Sequence, residues 1–519
     1  WGSNNTYAYI ELVNSAAHED FSTALNELNH VLRSEEKIDN EKFTAQPMED
    51  IHLQSNKSFE AEINGDASAV NFLLIVAGLV LLIAFVNYIN LSTSKSFDRA
   101  KEIGMRKVLG SSVGQLRAQI LSESVLLHLL ASVLTLVLMT LMLPSFRNLT
   151  DLPLSFNPMF EGMFWLELAF VVLVCAFASG ALPAVLISSF KPLAVLKGKI
   201  GHSKSGTLWR KGLVVVQFTV TIVLLIQTLT VRQQISFMQA MDLGADIDQV
   251  ISIYGPEQDS TSKPYRSFRH GLLSLPWVES VALSSAVPGS PINELSTTTG
   301  INLADATEET SFNYYLYSID ENYIPTLDMS LLGGSNFDRQ LNNDRNLIVN
   351  EEAARLLGAD HAADLVNRKL DFWGRTWTVI GVLNNFHQTS PKTPHIPLVM
   401  LYSDEFNMVN IRLTGENTSA HVKELAQLYD KHFSGMPFNY FFMDQSFDKQ
   451  FRKDEQFQKV FGFLSLFALV IACFGLFGLA TFTIIKRSRE IGIRKVLGAS
   501  VRQVVVLLSK EFMLLVGVS

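Results

Sequence analysis

The chain has 519 residues, 48% of them hydrophobic and 18% charged, with a mean hydropathy of +0.21. That balance is too apolar for an ordinary soluble protein of this size and is the composition of a membrane protein. Forty-two Lys and Arg against 50 Asp and Glu leave a net charge of −8, which excludes the basic footprint of a nucleic-acid binder. Cys175 and Cys473, the only cysteines, both sit inside apolar runs. They exclude a disulfide framework and a Cys-based zinc site, and they read as packing residues. No signal peptide is visible after Trp1, and the chain is expected to be a fragment.

In chain order, the stretches between consecutive charged residues that are long enough to span a bilayer are 67–94, 124–146, 168–190, 212–231 and 460–485. About 20 residues at about 1.5 Å rise cross the roughly 30 Å hydrocarbon core, so each predicts a transmembrane helix. Asn71, Asn87, Asn90, His128, Gln217 and Gln227 are the polar interruptions, and they read as hydrogen-bonding partners between helices in preference to a substrate path. Pro183, after Ser179 and Gly180, predicts a kink in the third span.

The loops set the orientation. Segments 93–115, 190–211 and 486–503 together hold 17 Lys and Arg against three Asp and Glu, whereas segment 232–455 holds 17 against 29. The three basic loops therefore belong in the cytoplasm. Residues 1–68, with four basic and 13 acidic side chains, fall on the opposite face with 232–455. Period-2 or β-branched runs at Val250–Tyr254, Val278–Ala286, Phe312–Ser318, Trp377–Val382, Met408–Leu413 and Phe438–Met443 predict strands, and Glu351–Leu357 and Thr418–His432 predict helices. The region is thus expected to fold as one or two α+β lobes. Asp444–Gln458, with Phe447, Phe451 and Phe457 among charges, predicts an amphipathic helix running without Gly or Pro into the last span, a rigid stalk.

One repeat stands out. Residues 101–115 recur at 489–503, 388 residues on, with 11 of 15 positions identical, and both copies directly follow a span on the cytoplasmic side. Glu102 with Arg106, and Glu490 with Arg494, stand four apart with the acid first, the favourable order for a helical pair. Gly110 and Gly498 sit where a glycine would stop that helix. Ser112 with Gln115, and Ser500 with Gln503, form the Ser-x-x-Gln box that starts another. Ile103, Met105, Val108 and Leu109, and equally Ile491, Ile493, Val496 and Leu497, add apolar knobs. A basic segment that only sets topology or touches anionic lipid would need charge but no fixed residue order. The recurrence of the order favours a protein-docking surface used twice.

The twice-occurring Glu-Ile-Gly-x-Arg-Lys-Val-Leu-Gly-x-Ser resembles the signature of MacB/FtsX-type (type VII) ABC transporter permeases, in the tandem long form typical of Bacteroidetes. Ser188-Ser189-Phe190-Lys191-Pro192-Leu193-Ala194-Val195-Leu196-Lys197-Gly198 looks like that family's linker between halves, and Trp209-Arg210-Lys211-Gly212-Leu213-Val214-Val215-Val216-Gln217-Phe218 like the start of its second half. Ile348-Val349-Asn350-Glu351-Glu352-Ala353-Ala354 and Val379-Ile380-Gly381-Val382 through Phe386-His387 resemble its periplasmic region.

The resemblance implies an α-helical transmembrane protein with α+β extracytoplasmic domains, built as a tandem repeat of FtsX-like membrane units. The expected layout is 1–66, the end of a first extracytoplasmic domain; 67–190, a first membrane unit with its coupling elbow at 95–115; 191–211, a cytoplasmic linker; 212–231, the first span of the second half; 232–455, a second, MacB-like extracytoplasmic domain with its stalk; and 456–519, a second membrane unit, truncated, with span 460–485 and elbow 486–503. Residue 124 maps to 512, so the last span is expected to be cut short. By the same resemblance, Glu102, Gly104, Arg106, Lys107 and Gly110, with Glu490, Gly492, Arg494, Lys495 and Gly498, form the elbows that dock a cytoplasmic ABC ATPase in two copies. Mg-ATP would be held by that partner, with no cofactor in this chain, and closure of the ATPases would be transmitted to the outer domains without cargo crossing the bilayer. The setting is a bacterial inner membrane, and a periplasmic adaptor, an outer-membrane channel or a hydrolase are the further partners implied.

No ATP site is readable in the chain itself. Gly201-His202-Ser203-Lys204-Ser205-Gly206-Thr207 comes nearest a phosphate-binding loop, but Thr stands where the loop requires Lys. His-Glu-x-x-His and Gly-x-Ser-x-Gly are absent, and His387 and His395, eight apart, read as structural histidines rather than half a metal site. Three readings remain: a transport subunit expelling a periplasmic or membrane-embedded molecule, a non-transporting FtsX-like regulator of a cell-wall hydrolase or peptide sensor, and a membrane-bound periplasmic enzyme. Tandem halves and the large outer domain favour the first.

Overall fold

The computed structural model describes residues 8–13, 17–35, 42–55, 64–98, 100–150, 152, 154–188, 204–259, 262–306, 312–403, 405–415 and 418–519. The linker motif at 189–198 and positions 201–203 of the loop-like glycine segment lie outside them. The chain divides into two compact units, Trp1–Ala67 with Ser236–Arg452, and Ser68–Ile235 with Lys453–Ser519.

In the first unit, α1 (Ala17–Ser34) and α2 (Met48–Gln54) precede the membrane helices. The Asn29 amide holds the following loop by donating to the Phe43 carbonyl at 2.8 Å and accepting the Phe43 N–H at 2.8 Å. The membrane helices, which belong to the second unit, follow in the chain: α3 (Ala67–Asp98), α4 (Ala100–Val108), α5 (Val113–Thr150), α6 (Gly162–Ser188) and α7 (Lys204–Gln239). Helix α6 runs through position 183 without a break.

The sheet domain fills 250–448. Its strands are β1 (Val250–Asp259), β2 (Val278–Ser284), β3 (Ser296–Thr298), β4 (Asn302–Leu303), β5 (Tyr314–Ile319), β6 (Leu331–Gly334), β7 (Asn346–Asn350), β8 (Lys369–Phe372), β9 (Arg375–Leu383), β10 (Leu398–Tyr402), β11 (Glu405–Leu413) and β12 (Tyr440–Phe442). Helices α8 (Lys263–Leu273), α9 (Tyr323–Thr326), α10 (Glu351–Leu356), α11 (Thr418–His432) and α12 (Met443–Asp448) are interspersed. One sheet runs β12-β1-β11-β2-β5-β10-β7-β9-β8-β4, with β3 on β5 and β6 on β9.

The order resolves into two lobes. In the first, β1-α8-β2 and β11-α11-β12 are two interlocked βαβ units, because β11 lies antiparallel between β1 and β2 while β1 lies antiparallel between β11 and β12. Ile251, Ile253, Val409 and Ile411 from the sheet pack on Phe268 and Leu272 of α8 and Leu425 of α11. The register is pinned by a buried polar row, Ser252 Oγ to Asn410 Oδ1 at 2.8 Å and Asn410 Nδ2 to Ser284 Oγ at 2.9 Å. A slip of one residue would strand all three polar groups. The second lobe is inserted between β2 and β11; the sheet passes from one lobe to the other at the bridge Ser284 to Ile319, flanked by the Ser285 N–H on the Ser318 carbonyl and the Asp320 N–H on the Leu283 carbonyl. Its core sets Leu347, Val349, Val379 and Val399 against Ala353 and Ala354 of α10. Asn350 caps α10, accepting the Ala353 N–H at 3.0 Å and the Leu398 N–H at 2.8 Å, and so ties helix to strand.

The six strand expectations each fall on a strand, and Thr418–His432 is a helix with those ends. Helices α8 and α9 and strands β3, β4, β6, β7, β8 and β10 are additions. The stalk differs from its expectation. Residues 443–486 are helical in three pieces, α12, a 3₁₀ turn at Lys449–Phe451, and α13 (Arg452–Lys486). Phe447 and Phe451 are buried, and the Phe447 backbone lies so close to Gly289 that a Cβ there would stand 3.2 Å from the Phe447 Cα. The first turns therefore belong to the packing of the sheet domain, which tightens the helix locally.

The second unit holds the membrane helices, completed by α13, α14 (Ser488–Val496) and α15 (Val501–Val518). Among the described residues, five helices are long and apolar enough to cross a membrane. Val76 and Ile83 of α3, Leu224 of α7, and Phe461 and Ala468 of α13 form one cluster; Val214 and Phe218 of α7 and Ala472 of α13 form another with Leu515 and Val516 of α15. Helices α5 and α6 approach closely at Gly180, where a Cβ would stand 2.9 Å from that of Ser124, and Ser124 Oγ donates to the Ala176 carbonyl at 2.9 Å. Polar groups inside the bundle pair between helices. Gln217 Nε2 donates to the Ala472 carbonyl at 3.2 Å, and His128 Nε2 lies 3.4 Å from Ser179 Oγ.

Candidate functional site

The two copies of the repeat fold alike. In the first, α4 ends in a Schellman turn: the Gly110 N–H donates to the Lys107 carbonyl at 3.2 Å and the Ser111 N–H to the Arg106 carbonyl at 3.0 Å. In the second, the Gly498 N–H donates to the Lys495 carbonyl at 3.1 Å and the Ala499 N–H to the Arg494 carbonyl at 3.0 Å. The turn needs a left-handed residue, and Gly110 and Gly498 supply it at φ +99° and +93°. The next helix starts at once in a capping box. Ser112 Oγ accepts the Gln115 N–H at 3.3 Å while Gln115 Oε1 accepts the Ser112 N–H at 2.9 Å. Ser500 and Gln503 repeat this at 3.2 Å and 2.9 Å. Both stops and both starts are satisfied locally, so each elbow holds its bend without help from outside.

The acid–base pairs close as their spacing requires, Arg106 to Glu102 at 2.7 Å and Arg494 to Glu490 at 2.8 Å. All four side chains are about half exposed, so each pair is worth only about 0.3–0.5 kcal/mol and serves mainly to hold two guanidinium groups in place. Three apolar side chains per elbow are left bare beside them: Met105, Val108 and Leu109, and at the equivalent positions Ile493, Val496 and Leu497, with Leu109 86% and Leu497 80% exposed. Bare apolar side chains beside ordered charges are the make-up of a protein-binding surface.

Ile103 departs from the expected set of knobs. It is buried against Leu116 and Ile120 of α5, bracing α4 on the next helix, and is not available to a partner. Gly104 is buried, whereas Gly492 is exposed, with nothing within 4 Å of where its Cβ would be. The elbows differ at one contact that the repeat did not bring out. Arg106 Nη1 also donates to Gln119 at 2.8 Å, while the equivalent position in the second copy is Leu507. Comparing the copies past position 115 is the signal that finds it.

Elsewhere, the His387 and His395 rings come together at 4.4 Å between centroids. His395 Nδ1 lies 3.2 Å from the Phe386 carbonyl, and burial first, then the neighbouring His395, holds His387 below the usual imidazole range. Among the described residues, no group of three or more His, Cys, Asp or Glu gathers as metal ligands. In the sheet domain a cavity of about 220 Å³ is lined by Tyr265, Arg266, Arg269, Asp320, Arg339 and Tyr402, among others.

Residues 74–192 and 462–519 match the model of the FtsX-like permease C-terminal family, and each matched segment contains one elbow. No curated protein matches the chain at a significant level. Among solved structures, the chain is similar to the periplasmic region of MacB from Actinobacillus actinomycetemcomitans, at 14% identity over 40% of this chain and 94% of that one, with a TM-score of 0.29. It is also similar to the extracellular domain of the noncanonic ABC-type transporter YknZ from Gram-positive bacteria, at 16% identity over 37% of this chain and 97% of that one, with a TM-score of 0.25.

Proposed function

From membrane segments that match the FtsX-like permease family model, we propose that this chain is the permease subunit of an ABC transporter of the MacB/FtsX type in a bacterial inner membrane. The family implies a cytoplasmic ATPase as partner. In this reading the two elbows are its docking sites, and Mg-ATP is bound and hydrolysed on the partner chain. The observation that carries the reading is that both elbows, 388 residues apart, present the same guanidinium pair and the same bare apolar triad on the same self-contained bend. A lipid-facing basic segment would need neither the triad nor the bend.

Each part of the elbow then has a task. Arg106 with Lys107, and Arg494 with Lys495, meet acidic groups of the ATPase, and Glu102 and Glu490 hold the forks in position. The capped turns make each elbow stiff, so a displacement of α4 or α14 passes into the adjoining membrane helix. At its N-terminal end, α13 continues from the 3₁₀ turn whose Phe451, with Phe447 before it, packs with the sheet domain. ATP-driven closure of two ATPases would thereby move that domain and expel a periplasmic or membrane-embedded substrate, working with an adaptor or outer-membrane channel.

The test is co-purification of the ATPase with the chain, comparing wild type with Arg106→Glu plus Arg494→Glu. Reversal removes the helical pair and sets like charges four apart, at a local cost of about 0.5–1 kcal/mol per elbow, too little to unfold the membrane protein. Loss of the ATPase supports docking; unchanged binding overturns it. The charge-swapped control, with Glu102→Arg and Glu490→Arg added, restores the helical pairs and still fails to bind.

A further inference from the structure

Helices α3 and α13 are the equivalent spans of the two halves, and within the membrane unit they meet at equivalent positions. Val76, Val80 and Ile83 share a cluster with Leu464, Ala468 and Ile471, and each of the latter lies 388 residues beyond its counterpart, the same offset as between the elbows. The steps of four and three are those of a coiled-coil seam. At one end Phe72 touches Phe461, with ring centroids 5.5 Å apart, and at the other Asn87 and Leu91 reach Gly475 and Gly478. The pair is therefore parallel, and a pseudo-two-fold axis runs between the helices.

Two successive levels of this seam break the symmetry. Asn87 on α3 answers to Gly475 on α13, and Asn90 answers to Gly478. A Cβ at Gly475 would stand 1.8 Å from Asn87 Oδ1, and one at Gly478 would stand 2.4 Å from Leu91 Cδ2. Asn87 Nδ2 donates to the Ile471 carbonyl at 2.7 Å. Helical side chains lean back over the preceding turn, so that carbonyl is open only because position 475, four residues on, carries no side chain. Asn90 is 1% exposed with neither amide atom hydrogen-bonded among the described residues.

We propose that these levels key the seam to unlike helices, so that the first half of this chain pairs with its own second half and a second copy of the chain is refused there. At the observed spacing, two copies of α3 would set Asn87 against Asn87 where no side chain fits, and would bury the unbonded Asn90 twice. Two copies of α13 would leave glycine facing glycine, with no amide for the Ile471 carbonyl. Membrane helices associate through close packing and interhelical hydrogen bonds, and both are available here only in the mixed pair. This inference rests on the seam alone and not on the ATPase reading.

The test uses the full chain in native membranes with Cys175→Ser and Cys473→Ser. Val76→Cys and Leu464→Cys are placed either in one chain or in two co-expressed, differently tagged chains, and treated with a short bismaleimide. The expected result is a crosslink within the single chain and no crosslinked dimer from the mixed chains; a dimer band of comparable yield overturns the proposal. Gly475→Asn is expected to cut the intramolecular crosslink by about tenfold through overpacking. Adding Asn87→Gly exchanges knob and hole, lets Asn at 475 donate to the Ile83 carbonyl, and is expected to restore the crosslink. An exchange variant that inserts into the membrane but crosslinks no better than Gly475→Asn alone would also overturn the keying.

Discussion

At the scale of single residues, the elbow glycines separate two kinds of constraint. At Gly110 and Gly498 there is open space where a side chain would go, so only the positive φ forbids one. Gly110→Ala and Gly498→Ala should each weaken the turn by about 1–2 kcal/mol, visible as faster hydrogen exchange at the Ser111 and Ala499 amides. Gly492 has neither constraint, since it lies within α14 with room around it. Gly492→Ala should therefore stabilise that helix by about 1 kcal/mol, yet weaken ATPase capture if the partner backbone lies against that face. Co-purification measured beside helix protection separates the two effects. In the sheet domain, burial pushes the Asp320 carboxyl up to about 6. The folded state then holds its proton at a pH where the unfolded chain has released it, so stability is full below about pH 4 and is lost as pH rises toward 6. Denaturation of wild type across that window should show the decline, and Asp320→Asn should flatten it.

At the scale of elements, the sequence displays what is decided locally. The Ser112–Gln115 and Ser500–Gln503 boxes, the glycine stops and the helix Thr418–His432 carry their own start and stop signals and form as read. Strands β7 and β10 do not announce themselves. Both lie inside the second lobe's sheet, each with one parallel neighbour, and Leu398-Val399-Met400 is buried without alternation, so no period of two is left to find. The row Ser252–Asn410–Ser284 joins residues up to 158 apart, beyond the reach of any local pattern. The 3₁₀ turn at 449–451 has the same origin, since only the packing of Phe447 on Gly289 shows that the helix must tighten. The elbows' charges were legible, but the burial of Ile103 was not, because it depends on how far α4 folds back onto α5. Ser112→Ala should cost about 1 kcal/mol in the first turn of α5, read as increased exchange at the Gln115 amide, with little change in the distant sheet domain.

At the scale of the whole molecule, two elbows in one chain predict a count: the assembled transporter should hold two ATPases for each permease chain, measurable by native mass spectrometry, and a ratio of one to one would contradict the reading. The two copies are alike to different degrees in different places. Across the elbows 11 of 15 positions are the same, while two levels of the seam carry Asn on one side and Gly on the other. If both elbows dock the same ATPase, as proposed, a change in that partner is met by both at once, and a change in one elbow alone meets only half of its match. The seam, keyed as proposed, carries no such tie: its two sides lie in one chain, so each has only the other to fit.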